Sequence, residues 1–514
     1  MTPGISTDEP LSSQARRFRP EPQPIGARPR EPQRTNRTTT RHPDIASSRI
    51  HFQYIIAAVV LTATLSLNTA LGLPGLASAA LFDILLAVAI IVVFRPAASI
   101  RSPYLSLSAI TIYWLISDFC IHGPLIYATG LKLVPLPGDQ ELIFSTMYLE
   151  ASLATLGVIF GTLLSRHTCT LRHRPRSGFT APPAFAFSSF AAISLLGLIA
   201  GVYLMTDADM RDQILYQQTY FRAPEGMGRY LILVYILPST LMGLLYCWLK
   251  RQRRRRSPFL YIFAWQLASL PHMLQGRRLM WLGCEVMGVH IAARLKLFKV
   301  RAWHLLLITP VMIFVFSFYE ATKNYGYADI GRITMTDIVD TPHLVRMYSN
   351  SIGRFEISAA VILNHKQGSY LYGMTFLQAP LQLIPSVARN ARSNLTIEGE
   401  IGQQIYGDSG AANVSQAASA FAELFANFGS LGVLFGFSII AYVATRLDIV
   451  LSMSDSAMGT LMYCLLLFRW PHQLVTESGV WLPMTAFAFL PLFLAYAVRA
   501  ATVRSPMTAV RKHG

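Results

Sequence analysis

WHLLLITPVMIFVFSFY (303–319) is an apolar run that stops at Glu320, and the next run, FAELFANFGSLGVLFGFSIIAYVAT (421–445), starts about 100 residues later. Similar runs joined by short connections fill 52–319, and more follow to about residue 498. Lipid admits irregular backbone only where protein or a water-filled cavity satisfies its polar groups, and loops carry functional side chains that apolar spans cannot. One long, charged, aromatic-bearing loop between two groups of apolar segments is therefore the place to look for recognition or chemistry.

Composition agrees with a membrane chain. Of 514 residues 53% are hydrophobic and 14% charged, with a mean hydropathy of +0.40. A soluble chain carries roughly a quarter charged residues. The net charge of +17 does not indicate nucleic acid, because most arginines stand in short clusters beside apolar runs, where they set orientation. Cys120, Cys169, Cys247, Cys284 and Cys464 all lie in or beside apolar runs, with no CxxC pair, so they read as packing residues rather than as a disulfide framework or metal site. Residues 1–50 hold nine arginines and eight prolines and too few apolar residues for a core; they read as a disordered cytoplasmic tail that can touch anionic lipid.

The fold class expected is all-α: a polytopic membrane protein with twelve transmembrane helices and one long outer loop containing short helices. The spans fall near 52–73, 76–94, 104–127, 142–164, 184–206, 229–249, 258–275, 279–295, 303–319, 421–445, 456–475 and 480–498. With both termini cytoplasmic, the inner side receives Arg95 and Arg101, RHTCTLRHRPR (166–176), RQRRRR (251–256), RLKLFKVR (294–301), Arg446 and the 500–514 tail. That distribution obeys the positive-inside rule and puts 320–420 outside.

The loop is nearly neutral, with seven Lys/Arg against eight Asp/Glu. HLVRMYSNSIGRFEISAAVIL has helical periodicity. YLYGMTFLQAPLQLIPSVA is apolar but broken by Pro380 and Pro385, so it reads as interfacial or re-entrant rather than spanning. The polar, Gly-rich IEGEIGQQIYGDSGAANVSQAAS reads as a lid.

Three constellations carry candidate chemistry. Arg277 and Arg278 sit in a tight hairpin on the expected outer side, where the positive-inside rule disfavours arginine; their planar forks suit phosphate oxygens. In the loop stand Arg346, Arg354, Arg389 and Arg392, with Arg354 and Glu356 at i and i+2 of the expected helix and therefore on different faces. Glu423 opens the tenth span, where an acid is costly unless paired or solvated, and Gly432/Gly436 make a GxxxG spacing that allows close helix approach. Asp83, Asp118, Glu150, His272, Glu285, Arg469 and Glu477 lie within spans; Arg469, His472 and Glu477 cluster toward the outer end of the eleventh. There is no P-loop, HExxH, GxSxG or DxD-type signature, which disfavours ATP-driven and metal-hydrolytic chemistry, and no metal or cofactor is expected.

GRR at 276–278, YLYGMTFLQAPLQLIP at 370–385 and AELFANFGSLG at 422–432 together resemble the oligosaccharide repeat-unit polymerases, the Wzy-type O-antigen polymerases. That family often has a basic residue directly after the loop's Ile-Pro; here Pro385 is followed by Ser386, and Arg389 comes four positions beyond Pro385. The resemblance implies transfer of a growing glycan from its polyprenyl diphosphate to a hydroxyl of the next lipid-linked repeat, on the outer face of the bacterial inner membrane. It implies polyprenyl-diphosphate-linked oligosaccharides as partners, with a flippase and a chain-length regulator acting alongside. On this reading Arg277, Arg278, Arg354, Arg389 and Arg469 neutralise the departing diphosphate and substrate charge, and Glu356 or Glu423 is the general base, with His343 and His365 behind them. A polysaccharide ligase is the alternative within enzymes. A transporter of lipid-linked glycan is the alternative outside them; it predicts repeated halves, which the sequence lacks.

Overall fold

The computed structural model describes residues 44–95, 103–130, 139–169, 183–208, 211, 228–251, 257–274, 278–297, 302–325, 329–351, 353–366, 368–383, 397, 418–452 and 456–504. Among them the chain is almost entirely helical, and no strand occurs. In order come α1 (Asp44–Leu71), α2 (Leu76–Phe94), α3 (Leu107–Leu115), a π-helical turn Ile116–His122, α4 (Gly123–Thr129), α5 (Gln140–Cys169), α6 (Pro183–Thr206) and α7 (Gly228–Arg251). Then follow α8 (Pro258–Leu274), α9 (Arg278–Arg294), α10 (Ala302–Tyr325), α11 (Met335–Val339), α12 (Thr341–Ser351), α13 (Phe355–His365) and α14 (Met374–Gln378). The last group is α15 (Ala420–Ser452), α16 (Ala457–Val475), α17 (Ser478–Ala488) and α18 (Leu490–Arg504).

Seven helical segments are long and apolar enough to cross a membrane: 53–71 in α1, α2, the α3–α4 run, α5, α6, α7 and α15. The bent pair α17–α18, angled by 40°, makes an eighth if it is one span. Helices also stand where α8, α9, α10 and α16 were expected. They too carry polar residues: His272 in α8, Arg278 and Glu285 in α9, Glu320 in α10, Arg469 and His472 in α16. α8 and α9 have 17 residues each, and Arg469, His472 and Gln473 lower the hydropathy of α16.

α16 shows how such a helix is accommodated. Tyr463, Leu467, Trp470 and Leu474 belong to one apolar cluster with α2, α3, α5, α13 and α15. Leu461, Cys464, Leu465 and Phe468 belong to a second, with α6, α7, α8, α9 and α18. α16 is thus buried on both flanks and meets protein where an outer helix meets lipid, so it can hold polar groups that would be costly against hydrocarbon. Cys120, Cys247, Cys284 and Cys464 are buried and unbridged.

The most extensive pairing joins α5 to α15. Gly157 and Gly161 make it possible: a Cβ at Gly157 would stand 2.4 Å from the Leu434 carbonyl oxygen, and one at Gly161 2.1 Å from that of Ser438. Close backbone approach of this kind takes the place of a hydrophobic drive between helices in lipid. At one end of the α3–α15–α16 group, Asp448 accepts from the Leu107 and Ser108 amides (2.9 and 3.0 Å), the Ser108 hydroxyl (2.7 Å) and the Tyr463 hydroxyl (2.6 Å). It caps α3 from another helix and ties α15 and α16 to it.

Gly161→Leu therefore forces α5 and α15 apart, at a cost of about 1–3 kcal/mol or more. The purified protein in detergent should lose its monodisperse peak at a lower temperature. Gly201→Ala, whose new Cβ meets nothing nearer than Val234 at 3.7 Å, should leave that temperature unchanged.

Candidate functional site

α15 is two helices. Gly429, with φ 63° and ψ −154°, separates 420–428 from 430–452. That region of backbone space is essentially restricted to glycine. The first segment folds back on the second: a Cβ at Gly432 would lie 2.4 Å from the Leu424 carbonyl oxygen, and one at Gly436 2.4 Å from the Leu424 side chain. The GxxxG pair thus supports close approach, and its partner is the first segment of the same element rather than another span.

A break of this kind releases carbonyls that need donors. The loop preceding α14 supplies them. The Leu371 amide donates to the Ala426 carbonyl (2.9 Å) and that of Tyr372 to the Asn427 carbonyl (3.0 Å). The Asn427 side chain completes the joint, accepting from the Gly373 amide (2.9 Å) and donating to Thr375 Oγ1 (2.7 Å) and the Glu423 carbonyl (2.8 Å). Phe376 stacks on Phe428, with ring planes 8° apart. At the other end of the short segment, Ser419 Oγ accepts from the Ala422 amide and pairs with Ser358 Oγ of α13 at 2.8 Å. The expected apolar segment is thus a pair of short helical turns, α14 and Ala379–Leu383, and not a span. Its exposed Tyr372, Leu377 and Leu381 accompany an equally exposed row on α15, Leu431, Phe435 and Ile439.

Glu423 is buried, and its carboxylate sits at the N-terminus of α17. Ser478 donates to it twice, from the backbone amide (2.8 Å) and from Oγ (2.5 Å). A carboxylate is favoured at a helix N-terminus, so Glu423 holds α17 to the broken helix.

On the other side of the α16–α17 turn, Arg354 Nε donates to the Val475 carbonyl at 3.3 Å, a cation at a helix C-terminus. The sequence places Arg354 within a helix, but in the structure it is the residue that precedes α13, with φ −128° and ψ 13°, because Gly353 interrupts the periodic stretch. Its amide donates to Asp118 Oδ1 (2.5 Å), and the Phe355 amide donates to His122 Nδ1 (3.2 Å). Nδ1 is therefore the acceptor nitrogen, and the proton of the neutral ring is on Nε2. Asp118 and His122 both belong to the π-helical turn, a local rearrangement that recurs at functional sites. Tyr348 in α12 donates to the Ser117 carbonyl (3.0 Å), and burial pushes its phenol above the ordinary tyrosine range. Glu356, two residues beyond Arg354, is buried in the first turn of α13.

Arg469 is fully buried one turn before the end of α16. It donates to Met280 Sδ (2.8 Å), His472 Nδ1 (3.2 Å) and Thr485 Oγ1 (3.4 Å). Arg278 forms an ion pair with Glu320 of α10 at 2.6 Å and reaches the Met347 carbonyl of α12 at 3.4 Å. Beside that pair a cavity of about 580 Å³ is lined by Glu320, Asp337, Asp340, His343 and the exposed Arg346, among others. His343 and His365 are each engaged by a backbone carbonyl, of Ser317 and Ser369.

Arg354 and Glu423 therefore meet the turn 475–478 from either side, with Glu356 next to Arg354 in sequence, while Arg469 lies within α16 on Met280, His472 and Thr485. Arg278 is linked to this group through α9 and α12. Arg277, Arg389 and Arg392 lie outside the described residues, as does nearly all of 397–419. Asn427 lies in the quoted AELFANFGSLG run, but its role at the joint was not legible there. His122 and Ser478 carried no signal at all, because their partners are more than 50 residues distant. Among the described residues no group of three or more His, Cys, Asp or Glu is arranged to hold a metal ion. Chemically, the group offers fixed guanidinium charge and buried carboxyls around one helix break, the means to bind an anion and move a proton.

Two expectations test this geometry. Asn427→Leu removes three hydrogen bonds from the joint, and limited proteolysis should then cut 370–383 faster than in the wild type. Arg278→Ala strands Glu320 and should destabilise by about 3–5 kcal/mol in thermal unfolding, whereas Arg278→Met with Glu320→Leu should recover most of that loss. Comparison with protein-family models, with curated proteins and with solved structures finds no match for this chain, so the arrangement is read on its own geometry.

Proposed function

We propose that this protein polymerises polyprenyl-diphosphate-linked oligosaccharide repeats into a surface polysaccharide, by glycosyl transfer on the outer side of the bacterial inner membrane. The observation that carries the reading is the joint between YLYGMTFLQAPLQLIP and AELFANFGSLG. These are the two longest segments of the resemblance, separated by 36 residues (386–421), and they are hydrogen-bonded to each other beside the Gly429 break. Segments that resemble one family and also meet in space are more telling than either alone. In this reading twelve helices span the bilayer, both termini are cytoplasmic, and α11–α14 lie on the outer face.

The roles follow from charge and access. The leaving group is a diphosphate, so negative charge grows as the glycosidic bond breaks, and fixed guanidinium groups stabilise it. Arg354, half-buried at the α16–α17 turn, is the described arginine best placed for this, with Arg277 and Arg389 as further members. Arg278 and Arg469 act from behind, Arg278 by holding α9 to α10 and α12. The acceptor hydroxyl must lose a proton, and the two buried carboxyls Glu356 and Glu423 are the candidate bases; both Glu423 oxygens accept from Ser478, while Glu356 follows Arg354 by two residues.

Glu356→Gln and Arg354→Ala should each lower chain extension by roughly 100-fold or more. The readout is the glycan on the carrier lipid of cells carrying each variant at wild-type expression. Single repeats on the carrier support polymerisation. Long polymer left unattached would overturn it in favour of a ligase, and repeats trapped on the cytoplasmic side in favour of a transporter.

A further inference from the structure

α8 buries one face and leaves the other open. Tyr261, Trp265, Ala268, Ser269 and His272 pack inward, and the Tyr261 hydroxyl donates to the Gly288 carbonyl of α9 at 2.6 Å. The outward face carries Phe259, Phe263, Gln266 and Leu270, spaced four, three and four residues apart, with Leu260, Ile262 and Leu267 beside them. Phe259 is 83% and Phe263 68% exposed. This is the a/d spacing of a helix seam, with one polar residue in the middle of an apolar row.

That polar residue needs a partner. Gln266 Nε2 donates to Glu285 Oε2 of α9 at 3.0 Å, and Glu285 Oε1 is buried with no hydrogen bond. The amide keeps a second N–H and a carbonyl oxygen for use elsewhere. Other exposed polar residues on apolar helices satisfy themselves: Thr62 and Thr69 return their hydroxyls to the carbonyls of Ala58 and Leu65 in the same helix. A glutamine amide engaged with a neighbouring carboxyl has no such outlet, and halfway along a helix in lipid there is no water to supply one.

We infer that a second copy of this chain docks along α8, parallel and in register, with Gln266 of each copy hydrogen-bonded to Gln266 of the other. A primary amide is its own complement: in a two-fold pair each carbonyl accepts from the opposite N–H, giving two reciprocal bonds across one axis. Proteins that span a membrane share one orientation, so a two-fold axis along its normal sets the two α8 helices parallel and brings the same residue face to face. The flanking Phe259, Phe263 and Leu270 then pack as the apolar part of the seam. In lipid, where apolar packing between helices has no hydrophobic drive, such a polar pair adds to association as well as fixing register. The inference rests on the twelve-span placement of α8 within the bilayer, and not on the glycan chemistry.

The test uses the full chain in native membranes and in lipid nanodiscs. Gln266→Cys and Phe263→Cys should form disulfide-linked dimers well above the wild-type background, and Val202→Cys, on the exposed face of α6, should not. By single-molecule photobleaching, Gln266→Leu should lower the dimer association constant by roughly 3- to 30-fold. Equal crosslinking at Val202→Cys, an unchanged association constant in Gln266→Leu, or crosslinking only to a different protein would overturn the inference. Labelling of Gln266→Cys by a membrane-impermeant maleimide would overturn it together with the placement of α8. Neither readout involves glycan, so a monomer with unlabelled Gln266→Cys removes the interface alone and leaves polymerisation to its own test.

Discussion

A helix broken among apolar neighbours must find donors for the carbonyls it releases, and that requirement organises the candidate site. At Gly429 the chain reverses; the amides of Leu371 and Tyr372 meet the carbonyls set free at Ala426 and Asn427, and that of Gly373 meets the Asn427 side-chain oxygen. The loop between α10 and α15 is thereby held in the bundle by backbone bonds, rather than lying over it as a separate domain. Once held, it delivers α13 to the π-helical turn and Arg354 to the end of α16. Without the break the amides of Leu371 and Tyr372 would lose these acceptors.

The second constraint is the position of α16. An arginine against hydrocarbon is costly, yet Arg469 is among the most buried side chains in the protein. Its surroundings supply a thioether, an imidazole and a hydroxyl, and two apolar clusters close around the helix. Arg278 is treated differently, by direct pairing with Glu320. Both solutions place charge inside the protein while keeping it off the lipid face. Arg354 is less enclosed than either.

Much of the helix order was legible because apolar runs and basic clusters are local signals. α2, α5 and α6 stand out by composition alone, and α14 shows in its prolines as something other than a span. The break in α15 was not legible, since Gly429 is one of three glycines within eight residues and nothing in the run marks which one turns the chain. Nor was the pairing of Arg278 with Glu320, two residues on different helices and 42 positions apart. Hydropathy also measures the residues of a helix and not its neighbours. It therefore rates α16 as a poor span, although α16 is the best enclosed of them all. Arg354 and Glu356 were read on one continuous helix because periodicity persists across Gly353, and the interruption depends on Asp118 and His122, more than 200 residues earlier.

Because α16 is common to both apolar clusters, neither is complete until residues 457–475 have been made. The ribosome delivers α2, α3 and α5 early and α6 to α9 next, so for most of synthesis two half-built groups of helices wait in the bilayer with open flanks. Their final order is fixed by a helix inserted near the end of translation, when Asp448 and Tyr463 close on the start of α3. Until α16 is made, the apolar flanks that it covers in both clusters stay open.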